Sequence, residues 1–192
     1  QKTNNFLACI HFEKDKAGIA LLDISTGEFL LAEGSFAYIS KLLQGFSPSE
    51  IVFQKRYKDL FQAEFGSNYY IYFLDDWMFT SEYATETLLK HFQTKSLKGF
   101  GVESMNLGII AAGVVLHYLS DTQHDQLKHV SKLSRIEEDR YVWLDKFTVR
   151  NLELLYSTNE NAKTLLDVID FTLSPMGGRL LKRWLALPLK SK

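Results

Sequence analysis

The segment that most constrains the fold is residues 18–24, GIALLDI, which is apolar at nearly every position. A strand with one face in water alternates apolar and polar residues, whereas a strand covered on both faces is apolar throughout. We therefore predict a central strand here, in a sheet with helices on both faces. A chain of 192 residues, 46% of them hydrophobic, is long enough to bury such a core.

Two strand-like segments flank this one, and the connections are short enough only for antiparallel hairpins. After Gly34 the apolar residues recur at three and four, which is typical of helices. Strands reached through a helix are most simply parallel additions to a sheet. The sequence therefore predicts an α/β fold, a ribonuclease H-like mixed sheet in which a three-strand antiparallel meander is extended by parallel strands. The predicted order is β-β-β-α-β-α-β, over residues 5–12, 18–24, 28–32, 36–45, 50–54, 57–65 and 69–74.

Two more helices are predicted after the sheet. Thr80 is the expected N-cap of a helix that ends near Phe92, because its hydroxyl can accept a first-turn amide. Residues 105–119 are apolar almost all round, and Gly108 and Gly113 among them would let another backbone come close. We expect this second helix to be buried at the centre of the domain. Beyond it the chain is polar and loop-like over residues 120–140, except for residues 130–136, and a further helix is predicted over residues 146–156.

Charge is unevenly distributed along the chain. Residues 1–144 carry 14 Lys and Arg against 18 Asp and Glu, a net charge of −4, whereas residues 145–192 carry 8 against 5, a net charge of +3. Neither figure is typical of a stand-alone nucleic-acid-binding domain, in which basic residues cluster. The single cysteine, Cys9, favours a reducing compartment, so we expect a cytoplasmic protein. The longest apolar run, residues 107–119, is well short of the ~20 residues that cross a bilayer.

A catalytic site would require ligands that the sequence does not supply in the expected places. A two-metal nuclease needs carboxylates at the centre of its first strand, but residues 6–12 contain none. Asp23 is the one candidate, and an Asp before Ser25-Thr26-Gly27 more often accepts turn amides. No Gly-Lys dipeptide occurs, which excludes a phosphate-binding Walker A loop. We expect no catalytic residue, cofactor or metal in this chain.

A metal site is geometrically conceivable at one place only. His117, Asp121, His124 and Asp125 recur at i, i+4, i+7 and i+8, which puts them on one side of a continuing helix. No cysteine joins them, and the solvated end of an apolar helix explains the same pattern. We favour the structural interpretation.

The segment near the end of the chain has the signals of a complete amphipathic helix. Ser174 and Pro175 supply an N-cap and a first-turn residue, and Pro188 supplies a stop. Met176 and Trp184 belong to one apolar stripe, which Leu180, Leu181 and Leu185 complete. A basic edge of Arg179, Lys182 and Arg183 runs beside the stripe, and these side chains are candidates for weak contacts with phosphate.

The same segment carries a family resemblance. The run TLLDVIDFTLSPMGGRLLKRWLALPL, preceded by FTVRNLEL, closely resembles the start of the core domain in the MutS family of DNA mismatch-repair proteins. GIALLDISTGEF resembles the connector domain of that family. Ser174 stands where the family usually has Thr before Pro175-Met176-Gly177, and either hydroxyl can cap a helix. The first residue is Gln1 rather than Met, so we expect an internal fragment.

The resemblance implies a domain division and a set of partners. It implies a non-catalytic connector over residues 1–128, a linker over residues 129–144 and the beginning of a helical core domain over residues 145–192. It also implies a dimeric parent that uses ATP and magnesium, binds mispaired DNA and recruits MutL, and a connector that relays conformational state and offers surface to MutL. The Phe-x-Glu wedge of the family is absent, because none of the 14 Phe is followed by Glu at the second position.

Two alternatives stay open at this stage. One is a ribonuclease H-like nuclease whose ligands are scattered, and magnesium-dependent cleavage of a hybrid duplex would support it. The other is a protein-interaction module outside mismatch repair.

Overall fold

A computed structural model describes residues 5–137, 164–172 and 174–186 of the chain. They divide into two compact units. The first comprises residues 5–40 and 48–136, and the second comprises residues 41–47 and the described part of residues 137–192. The predicted helix over residues 146–156 lies outside the described residues.

Strands and helices alternate along most of the first unit. The strands are β1 (Phe6–Glu13), β2 (Lys16–Asp23), β3 (Glu28–Ser35), β4 (Glu50–Gln54), β5 (Ile71–Leu74) and β6 (Ser134–Arg135). The α-helices are α1 (Phe36–Phe46), α2 (Lys58–Phe65), α3 (Ser81–Phe92) and α4 (Asn106–Gln123), followed by α5 (Leu165–Ile169) and α6 (Pro175–Ala186). Helix α1 belongs to the first unit up to residue 40 and to the second unit from residue 41, and α5 and α6 belong to the second unit. Short 3-10 turns cover Lys55–Tyr57, Asp76–Met78, Lys98–Phe100 and His124–His129.

The six strands form one mixed sheet in the order β5-β4-β1-β2-β3-β6. Strands β1, β2 and β3 are an antiparallel meander, and β4, β5 and β6 each pair in parallel with a neighbour. The predicted α/β class is confirmed, together with the meander and its parallel extension. The ribonuclease H-like name for this arrangement stays a prediction.

The central position of β2 is also confirmed. Strand β2 lies between β1 and β3, and all its residues except Lys16 are buried. On one face of the sheet, the Phe12 ring lies 4.9 Å from the Tyr57 ring and 6.0 Å from the Phe36 ring of α1, between ring centroids. On the other face, Gly18 lies against the start of α4. Helices therefore cover both faces of the meander.

Strand β6 was not predicted. Ser134 and Arg135 pair with Leu30 and Leu31 of β3, and the Ile136 amide donates to the Leu31 carbonyl at 2.8 Å. A strand of two residues is too short to show an alternating pattern, so the sequence did not indicate it. The first unit, which contains the sheet and which we call the sheet unit, consequently extends to residue 136. The connector boundary at residue 128 stays a prediction.

Candidate functional site

The face of β1 that lies toward α4 carries no acidic side chain near the middle of the strand. His11 pairs with Gly18, which lies against α4, so Cys9 and His11 point to the α4 side of the sheet. Cys9 is fully buried, and burial raises the pKa of its thiol. Burial lowers the pKa of His11, and the His11 ring stacks on Phe79 with 5.9 Å between centroids. These side chains pack the core and supply no hard oxygen ligand.

A carboxylate near the carboxyl ends of the parallel strands, Asp76, already has a hydrogen-bond donor. Gln54, the last residue of β4, is 2% exposed, and its Nε2 donates to Asp76 Oδ1 at 2.7 Å. Gln54 Oε1 and His11 Nδ1 are buried without a hydrogen-bond partner in the described part of the chain. Within that part, no group of three or more His, Cys, Asp or Glu side chains could hold a metal ion.

Asp23 closes the β2–β3 turn, as the sequence predicts. Its Oδ1 accepts hydrogen bonds from the amide and the hydroxyl of Ser25, and its carbonyl accepts from the Gly27 amide at 2.8 Å. Gly27 has a φ of 74°, a left-handed conformation that favours glycine. The buried carboxylate of Asp23 is therefore used by the turn.

Glu33 caps α4, a role that sequence reasoning missed. Its Oε2 accepts from the Leu107 amide at 2.9 Å and from the Gly108 amide at 3.4 Å. A carboxylate at a helix N-terminus satisfies free amides and is favoured by the helix dipole. Glu33 is separated from Leu107 by 74 positions and from Gly108 by 75 positions along the chain. No local capping pattern could therefore have revealed this cap.

Three glycines bring α4 into backbone contact with its neighbours. A Cβ on Gly18 would lie 2.2 Å from the Leu107 carbonyl carbon, and one on Gly113 would lie 2.4 Å from Ala84 Cα in α3. One on Gly108 would lie 3.1 Å from the Ala32 carbonyl oxygen of β3 and 2.9 Å from the Leu31 side chain. The predicted close approach of another backbone to Gly108 and Gly113 is confirmed, and Thr80 caps α3 by accepting from the Tyr83 amide.

His117 lies at the end of the apolar part of α4. Tyr83 Oη and His117 Nδ1 are 2.6 Å apart, and His117 Nε2 is 3.6 Å from Asp121 Oδ2. The side chains of His124 and Asp125 lie outside the described set. Among the described side chains, His117 therefore has an aromatic hydrogen-bond partner and one neighbouring carboxylate.

Three exposed aromatic side chains lie in and around β5. Tyr70, Tyr72 and Trp77 are 83%, 54% and 55% exposed, and we call these three residues the aromatic edge. The Tyr72 ring lies 5.8 Å from the Tyr118 ring, and Tyr118 Oη donates to Glu50 Oε1 at 2.7 Å. Burial and this bond to Glu50 raise the pKa of Tyr118 to about 12.

A groove runs between α3 and α4. Its volume is about 850 Å³, and side chains of both charge signs line it, namely Glu86, Lys90, Asp121 and Lys128. Such a mixed lining gives no single ligand class.

Helix α6 begins as the sequence predicts. Pro175 is its first residue, and Ser174 Oγ accepts from the Gly177 amide at 3.0 Å. The side chains of Met176 and Arg179 lie outside the described set, as does Pro188. Lys182 and Arg183 are half-buried, and the Arg183 guanidinium lies 5.5 Å from the centroid of the Phe46 ring. The structure thus places two members of the basic edge on one helix.

Apolar side chains of the second unit are widely exposed. Trp184 of α6 is 51% exposed, and Val168 and Phe171 near α5 are 54% and 86% exposed. Helix α5 has a complete capping box, in which Thr164 and Asp167 each accept from the backbone amide of the other. Local capping is therefore satisfied while the apolar stripe is left partly in water.

No helix among the described residues is long and apolar enough to cross a membrane.

Comparison with known proteins identifies both parts of the chain. Residues 5–131 match the family model of MutS domain II, and residues 147–192 match that of MutS domain III. The chain is 60% identical over 190 residues to the DNA mismatch repair protein MutS of Flavobacterium psychrophilum, covering 99% of this chain and 22% of the relative. It is 58% identical to the MutS of Bacteroides thetaiotaomicron, covering 100% of this chain and 22% of that protein.

The chain thus spans about a fifth of the length of these relatives. The domain II model alone covers well over half of the chain, and the domain III model follows it in order. Both matches agree with the resemblance that the tail and the β2–β3 segment show in the sequence. The chain belongs to the MutS family.

Proposed function

We propose that this chain is the connector and the beginning of the core domain of a longer DNA mismatch recognition protein. In that parent the connector relays conformational state between an ATPase and the mismatch-binding region, and it offers surface to MutL. The observation that carries the proposal is the ordered match to domains II and III, in relatives whose name is DNA mismatch repair protein MutS.

The packing of the sheet unit supports a relay. Helix α4 has 18 residues, about 27 Å at 1.5 Å per residue. Backbone contacts at Gly18 and Gly113 leave no side-chain layer between α4 and its neighbours at these points. A close-packed body resists compression and moves as one piece. A displacement at one end of α4 would therefore reach the other end with little loss.

The centre of β1 supports a non-catalytic role for this chain. Cys9 and Ile10 stand at the centre of β1, where a metal-dependent nuclease would need carboxylates. ATP and magnesium then belong to the parent, as do dimer formation and specific DNA binding. We place the parent in the cytoplasm, in keeping with the buried thiol of Cys9.

Charge supports separate roles for the two parts of the chain. The acidic residues 1–144 are suited to a basic protein partner, for which we propose MutL. The basic edge of α6, Arg179, Lys182 and Arg183, is suited to weak phosphate contacts whose strength falls with salt.

A substitution at the α3–α4 contact tests the relay in the intact parent. Gly113→Ala puts a methyl group against Ala84 Cα and should loosen α3 from α4. We expect the ATP-induced change in affinity for mismatched DNA to shrink about tenfold, while ATP hydrolysis without DNA changes less than twofold. Gly99→Ala is the matched control, because nothing lies within 4 Å of that position.

If Gly113→Ala abolishes the thermal transition, Gly108→Ala is the milder replacement, because the added methyl group would lie 2.9 Å from the mobile Leu31 side chain and no closer than 3.1 Å to backbone, at the Ala32 carbonyl oxygen. An undiminished ATP-induced change in affinity for mismatched DNA in a folded Gly113→Ala or Gly108→Ala parent would contradict the relay.

For the MutL contact, crosslinks from cognate MutL should map to residues 1–128. Crosslinks confined to residues 145–192 would overturn that assignment.

A further inference from the structure

Strand β5 is a four-residue edge strand among the described strands. It stands at one end of the sheet among the described strands, and its sequence IYFL contains no charge and no proline. The Ile51 amide donates to the Tyr70 carbonyl at 2.8 Å. In a parallel pair the backbone groups alternate in direction, so those of Ile71 and Phe73 face the open side. Natural sheet edges of this kind are normally blocked by charge, proline or a bulge.

The aromatic edge lies beside these open backbone groups. Tyr70 and Tyr72 share one face of β5, and Trp77 lies three residues beyond the end of the strand. Trp77 is supported by Tyr83 and His117, with 5.0 and 5.4 Å between ring centroids. Aromatic side chains that are already held in place lose little conformational freedom when they bind.

Carboxylates surround the aromatic edge. Asp75 and Asp76 are exposed and stand between β5 and Trp77, and Asp121 lies 3.6 Å from the His117 ring. Glu50 is bound to Tyr118 next to Tyr72. Exposed aromatic faces bind cations, and nearby carboxylates strengthen that preference. The same carboxylates repel the phosphates of a nucleic acid that would otherwise stack on these rings.

We propose that the aromatic edge docks an extended basic segment of a partner protein, which pairs with β5 as an additional strand. The backbone of the segment bonds to Ile71 and Phe73, and its Arg or Lys side chains lie on Tyr72 and Trp77 near Asp75. Strand addition draws affinity from the backbone and specificity from alternate side chains. The proposal does not depend on the relay, and it identifies the partner by its basic charge and extended backbone alone.

The test uses the complete 192-residue chain and a synthetic nine-residue peptide that alternates valine and arginine. Backbone NMR should show the largest amide shifts at Ile71 and Phe73. A peptide with glutamate in place of arginine, and one N-methylated on the pairing edge, should each bind at least tenfold more weakly. Tyr72→Thr keeps a strand-forming residue and should weaken arginine-peptide binding about tenfold.

Asp75→Asn should weaken binding about threefold. Glu103→Gln is the matched control, because Glu103 is exposed in the turn before α4, and the start of α4 packs on β2 and β3. If Tyr72→Thr fails to fold, the comparison of Asp75→Asn with Glu103→Gln tests the proposal. Equal binding by the wild type and the folded Tyr72→Thr or Asp75→Asn variants would overturn the proposal. So would tighter binding of single-stranded oligothymidine than of the arginine peptide, or a Tyr72-dependent dimer of the chain without peptide.

Discussion

Helices α4 and α6 are both rich in apolar residues, but they differ in how completely this chain covers them. Helix α4 carries Leu116 and Val114 at 2% and 0% exposure, and it meets its neighbours backbone to backbone at Gly113. Helix α6 has an equally clear N-cap at Ser174, yet its Trp184 is 51% exposed.

The comparison separates what capping achieves from what packing achieves. A cap decides where a helix begins, and it contributes about 1 kcal/mol. Burial of an apolar side chain contributes about 1.5–3 kcal/mol, but only where another surface covers it. The sheet unit supplies those surfaces from within the chain, as the Glu33–Leu107 bond across 74 positions illustrates. The second unit leaves Val168, Phe171 and Trp184 largely in contact with water.

The largest effect should come from breaking the close packing of the sheet unit. Gly18→Ala would put a methyl group 2.2 Å from the Leu107 carbonyl, and neither backbone can move freely. We expect the free energy of unfolding to fall by about 3 kcal/mol. Urea denaturation followed by circular dichroism measures it. Gly99→Ala should change it by less than about 0.5 kcal/mol, and an equal effect of the two variants would contradict the packing argument.

A smaller effect should distinguish the caps of the two helices. Glu33→Gln removes the charge that binds the first amides of α4 and should cost about 1 kcal/mol in unfolding free energy. Ser174→Ala removes the α6 cap and should lower helicity without moving the main unfolding transition. Calorimetry and far-ultraviolet circular dichroism together measure both. A shift of the main transition by Ser174→Ala would show that the two units unfold as one.

Much of the fold could be predicted from local patterns. Residues 18–24 indicated a strand covered on both faces, and Thr80 and Ser174 gave the starts of α3 and α6. These features depend on neighbours within a few residues, so a single sequence records them. The turn role of Asp23 was predictable for the same reason.

The parts that escaped prediction depend on distant residues. Glu33 caps a helix 74 positions away, and β6 consists of two residues that pair with β3. The exposure of Tyr70, Tyr72 and Trp77 was equally hidden, because an aromatic strand of this composition is normally buried. Only the assembled sheet shows that β5 lies at an edge.

Self-association should distinguish the two regions further. The exposed stripe of α6 favours association, since large apolar patches in water tend to pair. Sedimentation should therefore show concentration-dependent dimers of the full chain, weakened several-fold by Trp184→Gln. A version that ends at Arg140 should be monomeric and keep its thermal transition. Equal association of both versions would place the contact in the sheet unit instead.

The smallest effect should be a pH dependence from His11 in the sheet unit. Burial lowers the pKa of His11 below its ordinary 6.5, with Glu13 raising it and Arg56 lowering it further to a lesser degree. The unfolded chain then binds more protons than the folded one as pH falls through 6.5, so stability is present above that pH and is lost below it.

Chemical denaturation at pH 7.5 and pH 5.5 measures this loss of unfolding free energy. His11→Leu keeps an apolar contact with Phe79 and should reduce the loss, while the helicity of α6 stays the same. An unchanged pH dependence in His11→Leu would assign the effect to other groups. Because His11 is only half-buried, solvent weakens the penalty on its charged form, and the effect should be smaller than that of either cap.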